Sequence, residues 1–437
     1  VAFPDKLAIE PLRQPVEASI RVPGSKSITN RALVLAALAS HDGECVLNGV
    51  LRSEDTEVMV AALRSLGFCV YPDWNASVIG LLPPKSKGAG IVPVASADLF
   101  VANSGTSMRF LTALVALGHG EYRLDGVSRM RERPLDDLLD ALRQLGVDVA
   151  SEHGNGRPPV VVRANGLAGG NVSIRGDVSS QFLSGLLMAA AYAAADVEIS
   201  VDGPLVSQPY VDMTLAMMRQ FGVAVHRHAF GYDVAAPQRY QPGSYDVEPD
   251  ASSASYFWAA AAIAGGEVEV PGLVARGLQG DVRFAAVLKE MGCRVGRGET
   301  DTTVYGRPLH GIDVDMNDIS DTVMTLAAVA CFAEGPTTIR NVAHVRHKET
   351  DRLSALATEL RRVGAGVEEF ADGLTITPRP LHGAEIETYN DHRMAMSMAL
   401  IGLRVPGIVI KNPGCVAKTY PGFFADLDKL RPLSGGN

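Results

Sequence analysis

The chain repeats itself, and the period of the repeat sets the size of its folding unit. One segment is a helix-like run closed by glycine and followed by an apolar strand start. It occurs as MVAALRSLGFCV, LLDALRQLGVDV, LAMMRQFGVAV, FAAVLKEMGCRV and LATELRRVGAGV. The closing glycines, Gly67, Gly146, Gly222, Gly292 and Gly364, are 79, 76, 70 and 72 residues apart. Glycine suits the left-handed position just past a helix C-terminus. A second segment lies between these and continues as an Ala/Leu/Met-rich helix. Its copies begin near Ser27, Thr106, Ser180, Ser253, Asp321 and His392. Six copies in 437 residues give a unit of about 73 residues. Each unit is expected to hold an apolar buried helix, a link containing strands, and an amphipathic helix leading to another strand.

The sixth amphipathic segment, FFADLDKL from Phe423, has no glycine-plus-strand after it. At the other end the alternating segment VEASIRV, residues 16–22, has no unit of its own. The N-terminus is therefore expected to complete the sixth unit. The segment PQRYQPGSYDVEPD, residues 237–250, interrupts the pattern between the third and fourth units with Pro, Gly and turn residues. The expected fold class is α/β, with a six-fold internal repeat divided into two similar domains of three units. One domain covers 24–242; the other is discontinuous, 1–23 and 243–437. Two adjacent crossings of the chain would form a hinge.

Apolar residues are 47% and charged residues 20%, enough for a large core and too apolar for global disorder. Acidic residues outnumber basic ones, 49 to 40, for a net charge of −9. That argues against a general nucleic-acid or anionic-membrane surface. Cys45, Cys69, Cys293, Cys331 and Cys415 are far apart and show no CxxC spacing, so neither a disulfide framework nor a zinc site is expected. The longest apolar stretch, 183–195, is broken by Ser184 and Gly185 and is too short to span a bilayer. The opening VAFPDKLAIEPL lacks the pattern of a secretory signal. A cytoplasmic protein is expected, without a membrane or nucleic-acid partner.

The six apolar helices begin with capping residues: Ser25 and Ser27, Asn103 and Thr106, Ser179 and Ser180, Ser252 and Ser253, Ser320 and Asp321, Asn390 and Asp391. Ordinary capping accounts for any one of them. Several first turns also carry cations, however: Lys26 and Arg31, Arg109, and Arg393 beside His392. A helix N-terminus already bears partial positive charge, so added cations there make physical sense if an anion binds. Three further cationic groups are RMRERP at 129–134, KETDR at 348–352, and Lys418 in AKTYP. Arg and Lys so grouped suit phosphate and carboxylate recognition, although KETDR also reads as a surface ion-pair ladder. Asp321 and Glu349 sit among these cations, either as counter-ions or as general acid and base. GSKS, residues 24–27, lacks the frame of a P-loop.

Together these motifs resemble the 3-phosphoshikimate 1-carboxyvinyltransferase, or EPSP synthase, family. They are PGSKSITNRAL, LFVANSGTSMRFL, RMRERP, DVSSQFLSGLLM, LVSQPYVDMTL, DASSASYF, ISDTVMTLA, RHKETDRL, NDHRMAM and AKTYPGFF, in family order over 23–424. The resemblance implies two domains, each of three βαβαββ units forming an inside-out α/β barrel, that close like a clamshell. It implies transfer of the enolpyruvyl group of phosphoenolpyruvate to the 5-hydroxyl of shikimate 3-phosphate, through a tetrahedral intermediate with release of phosphate. It implies no metal or organic cofactor, and a monomer is expected.

Matched by motif, Lys26, Ser27, Arg31, Ser179, Ser180, Gln181, Ser207, Asp321 and Lys348 would bind shikimate 3-phosphate. Lys26, Asn103, Gly105, Arg129, Gln181, Arg352, Arg393 and Lys418 would bind phosphoenolpyruvate. Asp321 would accept the hydroxyl proton, and Glu349 would handle the proton on the methylene carbon. Lys26 would reach both substrates. Three positions depart from the family pattern. Phe110 stands where Pro is frequent, Ala102 where Gly is common, and His344 where Asn is usual. The first two fall near the phosphoenolpyruvate site, where the inhibitor glyphosate acts in this family.

Two other readings compete. UDP-N-acetylglucosamine enolpyruvyl transferases share the fold, but carry a reactive Cys near the position of RMRERP, and 121–139 contains none. A non-catalytic anion binder on the same scaffold would gain nothing from Asp321 and Glu349, which repel its ligand.

Overall fold

A computed structural model describes residues 3–85 and 90–431; the outermost residues of the discontinuous domain expected from the sequence, 1–2 and 432–437, lie outside them. The chain forms two compact units. The inserted unit is Gly24–Val247; the discontinuous unit combines Val1–Pro23 with Glu248–Asn437.

Among the described residues twelve α-helices alternate between two kinds. The buried kind comprises α1 (Lys26–Ala39), α3 (Gly105–Val115), α5 (Ser180–Ala190), α7 (Ala251–Ala264), α9 (Val323–Ala330) and α11 (His392–Gly402). The amphipathic kind comprises α2 (Glu54–Ser65), α4 (Asp136–Gln144), α6 (Gln208–Gln220), α8 (Phe284–Glu290), α10 (Arg352–Arg362) and α12 (Phe423–Asp428). In α7 every residue but Ala264 is buried, which is why its sequence is apolar all round and shows no helical stripe. The five glycines that close the amphipathic runs all have positive φ, between 84° and 114°. A side chain with a Cβ would be strained there.

Each repeat builds its own small sheet. In the third repeat Gly170–Arg175 pairs in parallel with Val197–Asp202 across α5. Val197–Asp202 then pairs antiparallel with Gly231–Val234, which pairs with His226–His228. The order of one parallel and two antiparallel pairings recurs in five sheets. The strand–helix–parallel strand step lays each helix against a sheet. α1, α3, α7, α9 and α11 each pack on the strand that follows them. Inside the inserted unit α3 packs against α1 and α5; in the discontinuous unit α7, α9 and α11 pack pairwise. The helices are thus the core and the sheets the wall.

The ends of the chain are used differently from the simplest sequence reading. The N-terminus does complete the sixth unit, but with Lys6–Ala8, which pairs antiparallel with Val409–Lys411. The more conspicuous Val16–Ser19 instead pairs in parallel with Gly266–Pro271 and opens the fourth unit. Its alternation marks a strand but does not name a partner. Ser244–Asp246 plays the same opening part in the first unit, pairing with Cys45–Asn48. It therefore belongs with the inserted unit.

Candidate active site

The residues singled out from the sequence fall into two clusters, one in each unit. In the inserted unit Lys26 is the first residue of α1, and its Nζ lies 3.1 Å from Asp55 Oδ2 of α2. Arg31, one turn further, is buried and enclosed by neutral groups. It donates to Thr214 Oγ1 (2.7 Å), Ser27 O (3.0 Å), Tyr210 O (3.2 Å) and Ser184 Oγ (3.3 Å). Burial lowers its pKa to about 10, yet it stays cationic at neutral pH. Its guanidinium also sits 5.1 Å from the centre of the Phe110 ring. The departure at Phe110 thus supplies a cation–π wall behind α1.

Gly105 opens α3. A Cβ placed on it would lie 2.5 Å from Arg133 Nη2 and 2.7 Å from Arg109 Nη1. Two guanidiniums therefore crowd the start of this helix. Arg109 donates to Gly105 O, and Arg133 to Asn103 O, both at 3.1 Å. The three arginines of RMRERP go separate ways. Arg131 forms a two-pronged pair with Asp125 (2.7 and 2.9 Å), and Arg129 lies 2.8 Å from Glu132. Arg133 turns toward Asn103 and Gly105. Ala102 has φ +48°, which explains why glycine would be at ease there.

Ser179 caps α5, its hydroxyl accepting from Gln181 N–H at 3.3 Å, and Gln181 Nε2 donates to Thr106 Oγ1 at 3.2 Å. The latter bond brings the first turns of α5 and α3 together. Ser207 sits at the head of α6 with φ +51° and is buried. A serine held in the left-handed region costs of order 1–3 kcal/mol, and such strain clusters at ligand sites.

In the discontinuous unit the centre is Arg352, the first residue of α10. Its Nε donates to Asp391 Oδ2 (2.9 Å), its Nη2 to Glu349 Oε2 (2.9 Å), and its Nη1 to Asp321 Oδ1 (3.3 Å). Burial works against its charge, but Asp391, Glu349 and Asp321 outweigh it and hold the pKa above the ordinary arginine value. Asp321 lies on the 3-10 turn Asn317–Thr322 that precedes α9, and its Oδ2 also accepts from Arg393 Nη2 at 2.7 Å. Arg393, in the first turn of α11, donates to Tyr256 OH at 3.4 Å. Lys418 closes the 3-10 turn Pro413–Lys418, with Nζ 4.0 Å from Glu349 Oε1. Asp321, Glu349, Arg352, Arg393 and Lys418, spread over 98 residues of sequence, form one charged group in which all but the partly exposed Asp321 are buried. Lys348 is half-buried, and its charge acts on the buried His344.

Asp391 is the member that sequence reasoning saw only as a cap. It does cap α11, accepting from Arg393 N–H at 2.9 Å, and it also anchors Arg352. Arg133 belonged to a motif read for its charge alone. No local signal separates these two from their neighbours. Among the described residues there is no group of three or more His, Cys, Asp or Glu placed to hold a metal ion, and no helix long and apolar enough to cross a membrane.

A family model described as EPSP synthase (3-phosphoshikimate 1-carboxyvinyltransferase) matches residues 12–427. The chain belongs to the EPSP synthase family. It is 51% identical to the 3-phosphoshikimate 1-carboxyvinyltransferase of Nostoc punctiforme over 422 residues, 96% of this chain and 98% of that protein. It is 49% identical to the enzyme of that name from Shewanella sp. (strain MR-7) over 429 residues, 98% of this chain and 99% of that one. The solved EPSP synthase of Acinetobacter baumannii superposes with a TM-score of 0.79 at 25% identity, covering 98% of each chain. The likeness spans both units and favours EPSP synthase over the UDP-N-acetylglucosamine branch of the fold.

Proposed function

We infer that the two clusters carry the reaction of the EPSP synthase family, a step of the shikimate pathway to aromatic amino acids. The 5-hydroxyl of shikimate 3-phosphate adds to C2 of phosphoenolpyruvate while C3 takes a proton. The tetrahedral intermediate then loses the C3 proton and inorganic phosphate, which restores the vinyl group. The observation that carries the reading is that Asp321 and Glu349 share one guanidinium, Arg352. A site built only to hold anions would not place two carboxylates on its own cation.

In the inserted unit Ser179, Ser180 and Ser207 would cradle the 3-phosphate, with Ser27 and the charge of Arg31 adding to its hold. Lys26 and Gln181 would touch both substrates. Asn103, Gly105 and Arg129 would receive phosphoenolpyruvate, with Arg133 and Arg109 beside them. In the discontinuous unit Arg352, Arg393 and Lys418 would take its carboxylate and phosphate, and Lys348 would assist shikimate phosphate. Asp321 would accept the hydroxyl proton; Glu349 would deliver and later remove the proton at C3. Cations that offset the charge of two polyanions would let them approach. The five free cysteines agree with a reducing, cytoplasmic setting, and the protein would act as a monomer.

The test is phosphate release from phosphoenolpyruvate and shikimate 3-phosphate. Turnover is expected in the unmodified protein and not in Lys26→Met. Release no faster than in that variant would count against the enzyme reading.

A further inference from the structure

Asp281 is one of several buried carboxylates to which the proposed reaction gives no part. Asp281 lies on the 3-10 turn Gly280–Arg283 and is 3% exposed. The residues leading into that turn close the N-terminus of α7. Ala251 N–H donates to Gln279 Oε1 at 3.0 Å, and Ser253 N–H to Asp250 Oδ1 at 3.0 Å. With Asp250 as the cap, the Ser252 hydroxyl is released to donate a hydrogen bond to Asp281 Oδ2. The same 3-10 turn is tied to the one that carries Asp321, through Arg283 Nη2 and Asp318 Oδ2 at 3.2 Å. The groups acting on Asp281 are Ser252 and Asp250 from the start of α7, Asp321 from the neighbouring turn, and Arg393 from α11.

We propose that Asp281 is a positioning residue for Asp321: its buried carboxylate offsets the guanidiniums of Arg352 and Arg393 and keeps Asp321 able to take a proton. This rests on reading Asp321 as the base of the reaction. An aspartate 2.7 Å and 3.3 Å from two guanidiniums is by itself a poor proton acceptor, because opposite charge stabilises its anion. A like charge nearby acts in the other direction, and with Asp281 itself buried it is little screened by water. Asp281 is pushed up to about 6, first by burial and then by the charge of Asp321. Repulsion between two carboxylates is mutual, so the charge of Asp281 also acts on Asp321. The Ser252 hydrogen bond and the nearby Arg393 favour the ionised form of Asp281 and keep its charge available near neutral pH.

Asp281→Asn keeps the size of the side chain and an acceptor for Ser252 Oγ but removes the charge. The acid limb of the pH profile of kcat is expected to move down by on the order of one pH unit. At pH 7 kcat is expected to fall several-fold, with the KM for shikimate 3-phosphate changed less than about twofold. A merely structural role would lower activity and Tm together and leave the limb in place. The wild-type protein provides a second measurement, independent of how the variant folds. Carbon-13 titration of labelled aspartates should show Asp281 and Asp321 titrating together in two shared steps, and two independent single-step curves would overturn the proposal. Asp321→Asn separates the two levels of inference. If it is crippled while Asp281→Asn keeps the wild-type limb, the coupling is refuted and Asp321 stays the base. If Asp321→Asn turns over like the wild type, the base assignment falls, and the role of Asp281 with it.

Discussion

Single positions in this chain show how backbone and charge are set against each other at the candidate site. Ala102, at φ +48°, accepts strain just before Asn103, and Gly105 leaves room for two guanidiniums. Gly105→Ala would push a methyl group toward the heads of Arg109 and Arg133, which can swing aside, so the fold should survive while the anion site is disturbed. We expect the KM for phosphoenolpyruvate to rise about tenfold (roughly 1.4 kcal/mol) with Tm nearly unchanged; an unaltered KM would contradict the placement of phosphoenolpyruvate at this helix start. His344 is a different case. Burial, then the charge of Lys348, lowers its pKa from 6.5 to about 3. As pH falls below 6.5 the unfolded chain takes up a proton that the native protein refuses. Stability contributed by the neutral imidazole is therefore present above 6.5, is lost as pH falls, and stops falling near 3. His344→Asn should flatten the urea-measured stability between pH 6 and 4, and an identical slope in both proteins would rule this out.

At the level of elements, the repeat builds six buried helices, and the capping group decides what each first turn can reach. In α7 the cap is Asp250 rather than the serines expected from sequence, which turns Ser252 toward Asp281. Before α9 the chain makes a 3-10 turn with a kink at Ile319, and Asp321 rides on that turn rather than on the helix read from its pattern. α11 shows the energetic consequence most directly. Asp391 is fully buried, caps the helix and holds Arg352. Asp391→Ala removes the cap and leaves a buried guanidinium short of a partner. A loss of about 3–5 kcal/mol in urea unfolding is expected, with weaker phosphoenolpyruvate binding. A loss below about 1 kcal/mol would mean that Glu349 and Asp321 hold Arg352 unaided.

For the whole molecule, the fold class was legible because the period of about 73 residues is a property of the sequence itself. The solved relative confirms that class. The proposed roles draw on residues of both units, so binding of shikimate 3-phosphate is expected to draw the units together. The radius of gyration in solution scattering should fall on adding that substrate, and an unchanged value would speak against closure. Much of the candidate site was legible only through motif resemblance. Lys26, Asp321, Glu349 and Arg352 stand out because charge collects where helices start, but their partners do not. Arg31 meets Ser184 and Thr214 across 153 and 183 residues, and Arg352 meets Asp391 across 39. No pattern in sequence spacing encodes such pairs.

Sequence alone determined where helices stop, which of them are buried, and how many units there are. These follow from interactions within a few residues: a glycine free to take positive φ, an apolar face recurring each turn, a polar group at a helix start. Tertiary structure decided which strand closes which sheet and which carboxylate holds which arginine. Lys6–Ala8 and Val16–Ser19 are both short strands near one end of the chain, yet one seals the sixth sheet and the other opens the fourth. Many sheet edges and many carboxylates offer nearly the same local energy, and only packing of the assembled core distinguishes among them.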